Sequence, residues 1–256
     1  MGKRRRSQLN PAKGNFLMSE TTESDAPILN RLLAALPIDE YRRLSSKLKE
    51  IALNYGENIY KRGDIIRYVY FPTSGIVSLL AAVQDSATLE IGIVGREGIV
   101  GLALFLGVNT SNNSAIVQGA GFAMRMRAAD FLIECRNGGA LPQILRRFTH
   151  SMLSQVSQSA ACYRFHPVEA RLARWLLMTS DRMETHEFPV TQEFLSNMLG
   201  VRREAVNKSA GNLQQQELIS YNRGNLSIND QTGLETAACL CYDVIRDEEK
   251  SFPCHK

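Results

Sequence analysis

The 256-residue chain is 44% hydrophobic and 22% charged, a composition that supports folded cores and argues against disorder as the default. Its longest apolar run, near Ile99 to Val108, is broken by glycines and falls short of the roughly 18 residues of a membrane span. The net charge of +4 does not describe a basic domain: Lys3, Arg4, Arg5, Arg6 and Lys13 give residues 1–17 a charge of +5, leaving −1 for the remainder.

No apolar stretch follows the basic start, so it does not read as a secretory signal and a cytoplasmic protein is expected. Residues 1–27 are polar and aperiodic and are expected to be a disordered tail, with Met18 an equally plausible start. Amphipathic helices are then expected over Pro27 to Leu36 and Asp39 to Lys49. From about Glu50 the texture becomes β-rich. Ile51–Tyr55, Tyr68–Phe71, Gly75–Leu80, Leu89–Val94, Ala115–Gln118 and Phe122–Met126 are short strand-like runs separated by turn residues. That spacing predicts a small antiparallel barrel or jelly roll over 28–135.

Helical periodicity returns near Asp130. Leu141, Leu145, Phe148, Met152 and Val156 form one apolar stripe, which is either packing against the chain's own barrel or a two-helix seam in a homodimer; the seam is the favoured reading, with a dimerisation helix over 136–165. A further helix opens at His166-Pro167, and the domain boundary is expected near Phe165.

The segment 188–213 has the layout of a helix-turn-helix. Thr191 is a good N-cap with Gln192 and Glu193 behind it. Phe194, Leu195, Met198 and Leu199 give one apolar face, Gly200 permits a tight turn, and Val201 fills the corner. Val206, Ala210 and Leu213 form the buried stripe of the second helix. Arg202, Arg203, Glu204, Asn207, Lys208 and Asn212 then point outward, and these residue types read base edges. The bland alternative is a solvated face, since Glu204 and Lys208 stand at i and i+4. Leu218–Tyr221 and Asn225–Ile228, joined by Asn222-Arg223-Gly224, read as a hairpin wing that puts Arg223 within reach of phosphate. The fold class is α+β, with the winged helix over 166–235 and a helical tail over 236–256. From Pro189 to Asp230 four basic and four acidic residues cancel, so placed contacts rather than bulk charge must carry binding.

Barrel, long helix and winged helix in this order resemble the catabolite-activator/FNR (CRP/FNR) family of bacterial transcription regulators over roughly residues 28 to 230, most strongly in Arg203-Glu204-Ala-Val-Asn-Lys208. The resemblance implies a cyclic-nucleotide-binding-like sensor, a homodimer and a partly palindromic double-stranded DNA operator. It assigns base contacts to Arg203, Glu204 and Lys208. Backbone contacts fall to Thr191, Arg202, Asn207 and Arg223, Arg202 standing where a serine-like cap is common. RNA polymerase is a candidate partner, and no membrane is. The effector pocket would lie at Gly101-Leu102 and Asn113-Ser114-Ala115, where cyclic-AMP-binding members carry a glycine-glutamate pair and an arginine before Ser-Ala. Leucine cannot accept from a ribose hydroxyl and asparagine cannot neutralise a cyclic phosphate, so cyclic AMP is not the expected effector.

No cofactor or metal is expected. Of the five cysteines (Cys135, Cys162, Cys239, Cys241, Cys254) none forms a CxxC pair, and the first 134 residues hold neither Cys nor His, which fits neither an N-terminal iron–sulfur cluster nor a haem in the barrel. Cys239-Leu-Cys241 alone supplies too few ligands and reads as ordinary helix residues. A cupin-type barrel enzyme needs inward histidines, yet His150, His166, His186 and His255 all lie beyond the barrel. Gly95 to Gly101 lacks the Lys-Ser or Lys-Thr of a phosphate-binding loop. No catalysis is therefore expected. A nucleotide-sensing module that controls a protein partner, with the winged helix used for protein contact, is the remaining alternative to a DNA-binding regulator.

Overall fold

The computed structural model describes residues 27–82 and 88–251, so the expected tail lies outside the described residues up to residue 26. The chain enters through two short helices, α1 (Arg31–Ala34) and α2 (Ile38–Ser45). Buried Asn30 caps α1 by accepting from Leu33 N–H at 3.0 Å, and its amide donates to the carbonyls of Pro72 and Gly98. One polar side chain thus fastens the entry to the barrel while satisfying buried carbonyls. The second helix is shorter than its periodicity suggests, because Lys49 leaves it to pair with Arg125 in a sheet.

The barrel consists of β1 (Lys49–Leu53), β2 (Asn58–Tyr60), β3 (Tyr68–Pro72), β4 (Ile76–Ala82), β5 (Thr88–Val94), β6 (Ser114–Gly119) and β7 (Gly121–Arg127). They form two antiparallel sheets, ordered β1-β7-β3 and β2-β6-β4-β5. Alternation along β3 buries Val69 and Phe71 between half-exposed Tyr68 and Tyr70. These join Val77, Val94, Val117 and Met126 in the core. Two helices follow: α3 (Ala128–Arg136) and α4 (Ala140–Phe165). Gly138 and Gly139, both at positive φ, separate them. Glu40 accepts from Ala140 N–H at 3.0 Å and so caps α4.

The position of α4 corrects one expectation. Leu141, Leu145 and Phe148 are buried in the chain's own barrel core, so this part of the stripe is not free to form a seam. Met152 and Val156 are half-buried, while Leu153 is exposed. Packing onto the barrel wins for the first two turns because Leu141, Leu145 and Phe148 join Val77, Val94 and Ile99 in one apolar cluster.

His166 and Pro167 break the chain before α5 (Val168–Met183), with Pro167 as its N-cap. The C-terminal unit continues with β8 (Glu187–Pro189), α6 (Gln192–Leu199), α7 (Arg203–Gln215), β9 (Ile219–Asn222), β10 (Asn225–Ile228), α8 (Gln231–Ala237) and α9 (Cys241–Lys250). Leu172, Trp175 and Leu176 of α5 pack with Leu195, Leu199, Val206 and Leu213 in a second core. The expected boundary at 235/236 falls inside α8. Beyond it α9 folds back rather than trailing: Tyr242 donates to Asp181 at 2.8 Å, and His150 on α4 meets Glu248 at 2.9 Å. Cys162, Cys239 and Cys241 form a third, small cluster. Among the described residues no helix is long and apolar enough to cross a membrane.

Candidate nucleic-acid interface and sensor cavity

The helix-turn-helix is built from local preferences that agree with one another. Thr191 Oγ1 accepts from Phe194 N–H at 3.1 Å and starts α6. Gly200 ends it in the left-handed region at φ 61°, a conformation that costs glycine little. Leu195, Met198 and Leu199 meet Val206, Ala210 and Leu213 in the shared core, with Val201 packed at the corner. Arg202, the N-cap of α7, makes no side-chain cap, and the side chains of Arg202, Arg203, Glu204, Asn207 and Lys208 are exposed. Among the described residues no ion pair joins Glu204 to Lys208, so the pair is not consumed in supporting its own helix. Asn212 corrects the outward face: it is half-buried and donates to Glu169 on α5 at 2.6 Å, a strut between helices.

The wing forms a three-stranded sheet, β8-β10-β9. Asn222 pairs with Asn225, leaving Arg223 (φ 49°) and Gly224 (φ 83°) as a two-residue turn with both central φ positive. That geometry sets the Arg223 side chain at the exposed tip. Strand β8 had no clear sequence signature, because three residues with a proline do not show alternation; pairing of Leu226 with Phe188 reveals it.

In the barrel, a cavity of about 270 Å³ is lined by Gly101, Leu102 and Asn113 together with Tyr60, Leu79 and Met152, among other residues, none of them charged. Met152 brings α4 into its wall. Two of the expected pocket residues lie elsewhere: Ser114 Oγ accepts from Arg62 N–H at 3.1 Å, and Ala115 is buried in the core. Alternation along β6 sends neighbouring side chains to opposite faces.

A polar network missed by sequence reasoning crosses from the barrel to the helix-turn-helix unit. Ser78 Oγ lies 2.7 Å from Glu90 Oε2 and 2.6 Å from Gln118 Oε1, and Gln118 donates to Thr179 on α5 at 2.8 Å. A hydroxyl has one proton. With Glu90 protonated, the chain closes: Glu90 donates to Ser78, Ser78 to Gln118, and Gln118 to Thr179. Burial pushes the Glu90 carboxyl up from 4.5 to about 7, against opposing pulls from Ser78, Arg174, Trp175 and Arg182. The Trp175 indole N–H near it has no hydrogen bond of good geometry. Nothing in the run Leu89-Glu-Ile-Gly-Ile-Val94 distinguishes Glu90 from a solvent-facing strand residue.

These elements match known domains in the same order. A cyclic nucleotide-binding domain is matched over residues 50–137, and a Crp-like helix-turn-helix domain over residues 170–237. The chain belongs to the CRP/FNR family of transcription regulators. This CRP/FNR regulator is 26% identical over 227 residues to the nitrogen fixation regulation protein FixK of Bradyrhizobium diazoefficiens, covering 80% of the present chain and 88% of that one. Its fold is that of FixK2 from Bradyrhizobium japonicum (TM-score 0.64, 14% identity, 75% of this chain and 98% of that one). A CRP/FNR-family regulator from Eubacterium rectale is equally similar (TM-score 0.64, 17% identity, 80% and 96%). Like the family, the CRP/FNR regulator carries its DNA-binding function in the helix-turn-helix domain.

Proposed function

We propose that this regulator binds a partly palindromic operator as a homodimer, reads bases with Arg203, Glu204 and Lys208, and is not gated by cyclic AMP. The observation that carries the reading is the set of exposed side chains on α7, free of ion pairs with one another and aligned along one face. Arginine suits the O6 and N7 acceptors of guanine, and glutamate accepts from cytosine N4. Thr191, Arg202, Asn207 and Arg223 surround that face and would fix register on the phosphates. Two copies related by a two-fold axis would address half-sites about 34–36 Å apart. The exposed side of α4 around Leu153 is the surface left for that pairing, and RNA polymerase is the partner through which such a dimer would act in the cytoplasm.

Independence from cyclic AMP is supported by the barrel cavity. A cyclic phosphate needs a cation to neutralise it, and no charged residue lines the cavity; Ser111, Asn112 and Asn113 offer only neutral partners beside the apolar wall of Leu79, Leu102 and Met152. The apolar wall suits a less polar effector, and contact with Met152 would link its occupancy to α4.

The test is a gel shift on an operator selected from random DNA, followed by calorimetric titration with cyclic AMP. Arg203→Ala is expected to lose about 1–3 kcal/mol and to relax preference at one base pair of each half-site. Equal binding by Arg203→Ala and wild type overturns the base-reading assignment; submicromolar affinity for cyclic AMP overturns the effector reading.

A further inference from the structure

Cys162 stands in the last turn of α4, and His166, four residues on, is the residue that caps it, its N–H donating to the Cys162 carbonyl. Cys239 and Cys241 flank Leu240 at the corner between α8 and α9. The fold brings these two corners together across more than seventy residues of sequence. Cys162 Sγ lies 3.4 Å from Cys239 Sγ, Cys241 Sγ lies 3.4 Å from His166 Nδ1, and a ligand atom from each of the four side chains falls within 4.8 Å of all the others. We propose that these four residues form a Cys3His site for a thiophilic divalent ion of the zinc type, clamping the C-terminal helices onto the α4–α5 corner.

The dimensions fit a single ion. Zinc bonds thiolate sulfur at about 2.3 Å, so a tetrahedron places neighbouring sulfurs about 3.8 Å apart, within the spread of the cluster. An iron–sulfur cluster spreads its full set of four protein ligands farther apart, because further iron and sulfide atoms stand among them.

The surroundings fit its charge. Three thiolates around a divalent ion leave one negative charge. Facing the cluster are Arg171 and Arg174, both buried, each with an Nε that has no hydrogen-bond partner. Among the described residues neither forms an ion pair with a carboxylate. Arg174 lies within electrostatic reach of both Cys162 and Cys239. Buried cations without counter-charges are costly, and an anionic metal–thiolate centre would supply one. Gln158 Nε2 donates to Cys241 Sγ at 3.1 Å, the outer hydrogen bond that orients a ligating sulfur. On binding, each ligand thiol that is still protonated gives its proton to solvent.

The expectation that Cys239 and Cys241 are ordinary helix residues counted only what lies near them in sequence. The site also has a route to the DNA-reading unit. Arg171, beside the cluster, donates to the carbonyl of Leu199, the last residue of α6. Loss of the ion would therefore loosen the turn that aims α7.

The test is the metal content of the full chain, purified under reducing conditions without chelators or metal-affinity steps. One zinc per chain is expected. Stripped protein titrated with Co2+ should develop the ligand-field and thiolate charge-transfer bands of a tetrahedral site, saturating at one equivalent. Cys162→Ser and Cys239→Ser should each lower retained zinc at least tenfold, while Cys135→Ser, outside the cluster, should keep it all. If a serine variant does not fold, the stoichiometry and cobalt spectrum of the unsubstituted chain decide. The proposal is overturned by a chain that carries no zinc and takes up no Co2+, by bound iron with acid-labile sulfide, by equal zinc in Cys162→Ser and wild type, or by a Cys162–Cys239 disulfide in anaerobically purified protein.

Discussion

Glu90→Gln should change how stability depends on pH. The carboxyl of Glu90 on β5 is buried near Arg174 and Trp175 of α5, and its value of about 7 in the folded chain stands about 2.5 units above the ordinary 4.5. At about 1.36 kcal/mol per unit this corresponds to about 3 kcal/mol. The sign follows from proton counting. Between pH 4.5 and 7 the folded chain holds a proton that the unfolded chain has released. The contribution of Glu90 is therefore fully present below about 4.5 and is lost as pH rises through about 7. Glutamine keeps the shape and can donate to Ser78 as the protonated acid does, but it does not titrate. Urea unfolding of both proteins from pH 4.5 to 8 should show wild type losing about 3 kcal/mol relative to Glu90→Gln across that window. Taking the difference between the two cancels the other carboxylates, including Glu134, whose ion pairs with Arg43 and Lys47 are common to both. Parallel profiles, or a wild type that gains on the variant as pH rises, would refute the protonated network. Because the same network joins the barrel to Thr179, the variant should also hold the two units together more firmly at pH 8.

The remaining predictions concern the wing, the long helix and the barrel core. Arg223→Ala at the wing tip should weaken binding about equally on operator and random DNA and reduce the salt slope by about 1, measured by fluorescence anisotropy between low and moderate salt. Leu153→Asp, on the exposed side of α4, should shift the chain toward monomer in light scattering while leaving its circular dichroism unchanged; an unchanged mass removes α4 from the dimer interface. Phe148→Ala should cost about 3–5 kcal/mol of stability in urea unfolding, since its ring is buried against Gly98 in the barrel core.

Much of the DNA-reading end was legible in the sequence because its signals are local. Thr191 as a cap, Gly200 as a left-handed turn and the Leu195, Leu199, Val206, Leu213 spacing all act within a few residues of themselves. The two-residue wing turn at Arg223-Gly224 is likewise set by its own backbone. Strand runs of five to seven residues could be read from alternation, whereas β2 and β8, three residues each, could not. Asn212 was misassigned because helical spacing does not say which neighbour waits beside a face; here it is Glu169 of α5.

The sequence by itself determined that this chain has a β-rich barrel, a long helix and a helix-turn-helix with a two-residue wing turn, since periodicity, caps and turn chemistry are properties of neighbouring residues. Only the tertiary structure decided which surface the α4 stripe covers, because one apolar face fits a barrel or a second copy equally well. It alone buried Glu90 between units and raised its proton affinity, an effect of desolvation that no local pattern encodes. And it alone gathered Cys162, His166, Cys239 and Cys241, whose convergence depends on how α4 and α9 pack.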